Sequence, residues 1–204
     1  MRRCIAVISF IVLAMSLGAC KKTDGHNDYR EIYERYNKMT SYSATAEVTV
    51  RNERTENSYV ARQLFLAPDK FLNEVITPKE IEGSGFVFRA GELALKSGTG
   101  QDIEIYDVPL LNVGVLSVNS FFESYYKSEE TAVLTSGGAF EESTILECFL
   151  SSKNKNRFRQ RLWVDNKTYL PLKMETYDIE NNPVVTVVFR EFDRNCKIDE
   201  IEFD

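Results

Sequence analysis

At 204 residues, with 43% hydrophobic and 12% aromatic content, the chain is long enough for one domain with a substantial core and too apolar to remain disordered. A formal charge of −6 excludes the broad basic footprint of a nucleic-acid binder. Of the chain's four cysteines, two fall within the first twenty residues, and the two that remain do not make a disulfide framework.

The N-terminus carries three ordered signals. Arg2 and Arg3 form a positive n-region, and the run from Ile5 to Ala14 is an apolar h-region, too short to span a bilayer. Leu17-Gly18-Ala19-Cys20 then places small residues just before a cysteine, the pattern of a bacterial lipobox. Residues 1–19 are therefore expected to be a cleaved signal, Cys20 the acylated first residue, and 20–27 a polar tether to an extracytoplasmic domain over 28–204. A diacylated cysteine holds a protein on a bilayer firmly, because each buried methylene contributes about 0.8 kcal/mol. Cleavage removes Arg2 and Arg3, leaving 23 basic against 31 acidic residues, a charge of −8. With Cys4 removed and Cys20 acylated, Cys148 and Cys196 are the one pair left for a disulfide; two buried thiols are the alternative.

Asp28 has the chemistry of an N-cap, and Tyr29, Ile32, Tyr33, Tyr36 and Met39 follow at helical spacing. The stripe reads as core packing, with Arg30, Glu31, Glu34 and Arg35 facing water. After Thr40 the period becomes two. Tyr42, Ala44, Ala46, Val48 and Val50 alternate with polar neighbours, marking a half-buried strand. Further strands are expected over 59–67, 71–77, 86–88, 93–95 and 103–106, joined by Pro-Asp-Lys and Gly-containing turns. Residues 108–126 are apolar but irregular, consistent with loop plus a short helix over 118–127. Strands resume over 131–135, 144–150, 156–164, 169–178 and 184–192, and 198–203 is a candidate closing strand. The fold class is α+β: one long curved antiparallel sheet wrapped around one or two helices.

Catalytic chemistry is short of material. The single histidine, His26, lies in the tether, so no folded-domain imidazole can serve a serine or cysteine nucleophile. Cys148 and Cys196 do not complete a zinc ligand set, and no cofactor or metal is expected. Gly83-Ser-Gly85 and Gly98-Thr-Gly100 fall between strands and read as turns, not phosphate loops. Carboxylate pairs at Glu129-Glu130, Glu141-Glu142 and Asp199, Glu200, Glu202 sit at turns and the C-terminus, where solvated acids are the rule. The chain is expected to be a non-enzyme.

One charge pattern invites a binding role. Lys153, Lys155, Arg157, Arg159 and Arg161 recur at every second position, sharing one face of an extended strand, and Trp163 continues the alternation. A solvated hairpin face is one reading. A docking surface for an acidic partner, phosphate head groups or an anionic wall polymer is the other, with Arg157, Arg159, Arg161 and Trp163 as contact residues.

The order of elements resembles the LolA/LolB superfamily. The resemblance rests on Tyr36-Asn-Lys-Met-Thr-Ser-Tyr-Ser43, Phe65-Leu-Ala-Pro68-Asp-Lys70-Phe71, the strand pair around Gly91, and Trp163-Val-Asp165 followed by Tyr169-Leu-Pro171-Leu-Lys173. It implies a half-open β-barrel closed by helices, with an apolar cavity able to hold acyl chains. Combined with the lipobox, it is similar to the clostridial germination lipoprotein (GerS) family. That family implies a non-enzymatic partner of a cell-wall amidase that begins cortex modification for spore germination. A lipidated Cys20 distinguishes the chain from a soluble carrier and favours an anchored scaffold; an acyl-chain carrier is the alternative. Exposed sheet edges also admit a homodimer.

Overall fold

In the computed structural model, residues 25–98, 104–107, 114–136, 142–150 and 154–203 are described. The signal segment, Cys20, Leu110, Leu111, Val113, Glu141 and Lys153 lie outside them. Among the described residues two helices, α1 (Gly25–Asn37) and α2 (Val118–Lys127), accompany eleven strands. These are β1 (Ser41–Arg51), β2 (Glu56–Leu66), β3 (Lys70–Thr77), β4 (Gly85–Arg89), β5 (Glu92–Lys96), β6 (Glu104–Asp107), β7 (Thr131–Thr135), β8 (Ser143–Phe149), β9 (Arg159–Asp165), β10 (Pro171–Tyr177) and β11 (Pro183–Arg194).

All eleven strands form one antiparallel sheet in the order β6-β5-β4-β3-β2-β1-β11-β10-β9-β8-β7. The sheet is a pair of meanders meeting where β1 pairs with β11, and its edges, β6 and β7, do not meet. Bulges at Arg190 of β11, opposite Thr45/Ala46, and at Val60/Ala61 between β2 and β3 add the local twist that curls a long sheet. Short connections fix the register. Ala90 and Gly91, at φ 51° and 84°, make the two-residue β4–β5 turn in the left-handed conformation such hairpins need. Gly85 lets β4 approach β3, since a Cβ there would lie 2.0 Å from the Asn73 carbonyl oxygen.

The alternation of residue types decides which face is buried. Tyr42, Ala44, Ala46 and Val48 of β1 join Phe65, Phe71 and Phe88 from one side with Leu146, Leu162, Val164 and Met174 from the other. Ile32, Tyr36 and Met39, with Phe121, Phe122 and Tyr125 of α2, complete this core. Tyr36 stacks on Phe122 with ring centroids 4.3 Å apart, and its hydroxyl donates to the Tyr169 carbonyl at 3.0 Å. Ser117 caps α2 by accepting from the Ser120 amide. The helices therefore lie on the inner face, against β7 and β8.

Three sequence expectations change. The first helix begins at Gly25, so Asp28 stands in its first turn, where its charge favours the helix dipole, and is not the N-cap. Residues 198–203 form no strand. After β11 the chain crosses to the outer face, and Glu200–Phe203 is a 3-10 turn that seats Phe203 among Leu64, Leu72 and Val87. Lys70 to Glu200, Arg62 to Glu202, and Arg89 Nη1 donating to the Phe203 carbonyl at 2.8 Å tie it down. Lastly, Cys148 and Cys196 are free thiols, so the disulfide is not formed. They belong to β8 and to the segment after β11, three strands apart across the sheet and toward opposite ends of it, beyond the span of a disulfide.

Candidate binding surface

The predicted basic stripe is only partly a strand face. Lys155 and Arg157 lie in the connection before β9, which begins at Arg159. Strand pleating sends Gln160, Leu162 and Val164 into the core and Arg159, Arg161 and Trp163 to the outer face. Register then supplies partners that a single strand cannot reveal. Arg161 faces Glu147 of β8 and Glu175 of β10; Arg159 faces Tyr177; Trp163 faces Ile145 and Lys173.

These side chains form a continuous ladder. Arg161 Nε donates to Glu147 Oε2 at 2.5 Å, and Arg159 Nη1 lies 3.4 Å from the same oxygen. Both guanidinium groups lie over the Tyr177 ring, at 4.7 Å for Arg159 and 5.3 Å for Arg161. Burial, then the hydrogen bond from its hydroxyl to Glu175, pushes the Tyr177 hydroxyl up to about 12. Lys173 Nζ donates to Glu175 Oε1 at 3.1 Å and sits 4.0 Å from the centre of the Trp163 indole, which is 7% exposed. With Glu147 12% and Arg159 15% exposed, this is a half-buried array of three cations and two carboxylates, not a bare basic stripe. Arg159 Nε is buried without a partner among the described residues. Glu147 is the residue that sequence reading misses. A lone carboxylate inside the apolar Thr144–Phe149 run is its signal.

The other candidates disperse. Glu142 pairs with Lys167, Glu200 with Lys70 and Glu202 with Arg62, so these acids serve structural ion pairs. Cys148 is buried, and that burial pushes its thiol up to about 12. Among the described residues no group of three or more His, Cys, Asp or Glu side chains is placed to hold a metal ion. No helix of the described residues is long and apolar enough to cross a membrane.

A family model for YdcC-like sporulation proteins matches residues 111–203, the part that contains α2, β7–β11 and the whole outer ladder. Among solved structures, the CwlD amidase from Clostridioides difficile in complex with the GerS lipoprotein contains a chain 29% identical to this one. The match covers 82% of this chain and 94% of that one at a TM-score of 0.51. In sequence and in fold the chain is similar to a chain of that amidase–lipoprotein complex. An uncharacterised conserved protein from Thermus thermophilus shares the fold at 16% identity and a TM-score of 0.55, covering 86% of this chain and 91% of its own. No match is found among curated proteins. The chain thus carries its charged ladder within the stretch matched by the sporulation model.

Proposed function

We propose that this chain is a lipid-anchored, non-enzymatic binding module that engages a cell-wall amidase and is required for spore germination. The observation that carries the reading is the likeness, over 82% of the chain, to a structure that holds a lipoprotein with its amidase. The sporulation-family match over 111–203 and the lipobox ending at Cys20 support it. The outer ladder supplies a docking chemistry. Its cations and carboxylates are held in fixed positions by strand pairing and by Tyr177, so a partner meets a preorganised pattern of alternating charge, which favours specificity. Arg159, Arg161, Trp163 and Glu147 are the contact residues, with Arg157 at the margin.

The test is co-purification of the mature chain with the sporulation amidase of the same organism, followed by light scattering for stoichiometry and by assay of the amidase alone and in complex. A stable complex weakened at least tenfold by Arg161→Glu, in a variant that still folds, is the expected result. An amidase that neither binds nor changes activity overturns the reading. An acyl-chain carrier is the second reading, favoured by the inner faces of β4 and β5, where Phe86 and Leu93 are only half-buried.

A further inference from the structure

Eleven large hydrophobic side chains are exposed among the described residues, and they are not spread evenly. Six of them, Val50, Ile76, Ile81, Leu95, Phe158 and Ile179, occur at one end of the sheet. They come from the β1–β2 hairpin, the β3–β4 connection, the end of β5, the approach to β9 and the β10–β11 hairpin. Ile179 is 52% exposed and the other five between 37% and 43%. The opposite end is made of the β2–β3, β4–β5 and β9–β10 turns and the end of β11, and among the described residues it presents two, Ile201 in the C-terminal 3-10 turn and Leu134 near the end of β7.

The chain also enters at the apolar end. The C-terminus of α1 leads into β1 at the opposite end, where the Thr40 amide donates to Asn195. The first turns of α1 lie the other way: the Tyr29 ring is 6.3 Å from that of Tyr125, which hydrogen-bonds Thr131, the first residue of β7. Thr131 is level with Cys148, Gln160, Thr176, Val185 and Val50 along the paired strands. Cys20 precedes Gly25 by five residues, which reach at most roughly 17 Å when extended.

We propose that this strand-end rim is a membrane-contact surface, seated on the bilayer that holds the acylated Cys20. The inference rests on the reading of Cys20 as the lipidated residue. A short tether brings these side chains to the lipid surface at very high effective concentration, so even modest apolar contacts form. Isoleucine, valine, leucine and phenylalanine on loop tips lose unfavourable hydration when they enter the interface. The seat would hold the sheet upright, with Arg159 and Tyr177 nearest the membrane and Glu147, Arg161, Lys173 and Trp163 farther from it, open to a partner.

The experiment uses the full chain, processed in a bacterial host and reconstituted in phosphatidylcholine–phosphatidylglycerol vesicles with and without dibrominated acyl chains. Mass spectrometry reports acylation of Cys20 independently. Ile179→Trp and Ile81→Trp place probes in the rim, and Ala67→Trp places one in the β2–β3 turn, all against the constant emission of Trp163. The expected result is that bromolipid lowers the rim-probe emission about twofold or more and leaves the Ala67→Trp probe unchanged. An acylated chain with unquenched rim probes overturns the seat while sparing the anchor. Equal quenching at both ends overturns it in favour of unoriented contact. A rim probe that responds only when the amidase is added makes the rim a protein-docking surface instead. An unacylated Cys20 overturns the anchor and the seat together.

Discussion

The two halves of the sheet share the inner core but cover their faces differently. In β7–β11 the inner face is closed by α1 and α2, with Phe121, Leu146 and Leu162 at or near zero exposure, and the outer face is left to the charged ladder. In β2–β5 it is the outer face that is closed, by the C-terminal 3-10 turn with Phe203 on Leu64, Leu72 and Val87. There the inner face keeps half-buried Phe86 and Leu93 and an exposed Leu95. One meander thus offers a patterned polar exterior and the other an apolar interior. A single fold can serve a protein-docking role or an acyl-binding role according to which half a ligand meets.

The largest effect expected is in the N-terminal half. Phe203→Ala removes the knob that closes the second cluster, and a buried Phe→Ala costs about 3–5 kcal/mol. Urea denaturation gives the total, and amide exchange gives its location. Faster exchange in β2–β4 with β8–β10 unchanged is expected; an increase spread evenly over both meanders would mean that the halves are one cooperative unit.

Glu147→Gln is expected to cost less, about 2 kcal/mol, because it leaves Arg159 and Arg161 facing one another with their shared carboxylate gone at a half-buried site. Its exchange signature belongs in β8–β10, the mirror of the previous variant. If the ladder is the docking surface, amidase affinity falls in the same variant, whereas Phe203→Ala leaves that affinity intact under conditions where it is folded.

Alkaline pH bears most heavily on the helix-covered half, with Tyr59 of β2 also raised by burial. Burial raises the thiol of Cys148 and the hydroxyls of Tyr125 and Tyr177 to about 12, and all three belong to the helix-covered half. The folded chain therefore holds protons that the unfolded chain releases from about pH 9 for cysteine and 10 for tyrosine. Their contribution is complete below pH 9 and declines as pH rises towards 12. A denaturation midpoint that falls between pH 9 and 11, with a shallower fall in Cys148→Ala, is the expected result. A pH-independent midpoint would mean that these groups are hydrated in the folded state.

Sequence pattern carries the strands and α2 well, because each is a local period: β1 alternates strictly, and Val118–Lys127 matches the expected helix at both ends. It misplaces what depends on distant partners. The basic stripe looks bare in sequence because Glu147 and Glu175 arrive from neighbouring strands, a matter of register rather than of spacing. Residues 198–203 read as a candidate closing strand, yet β11 continues to Arg194 and the tail then finds an apolar notch on the outer face, which no local signal announces.

The smallest expected change in stability is the most discriminating for function. Leu93 lies on the inner face of β5 opposite Phe88 and is only half-buried, so Leu93→Gln should cost roughly 1 kcal/mol or less. A carrier would nevertheless lose uptake of a fluorescent fatty acid, because a polar amide without a partner in an apolar hollow opposes an acyl chain far more than it opposes folding into a partly wet one. A docking module would keep its amidase affinity in this variant and lose it in Arg161→Glu. If Leu93→Gln abolishes lipid uptake while Arg161→Glu leaves the amidase complex intact, the inner face of the N-terminal meander, and not the outer ladder, is where this chain does its work.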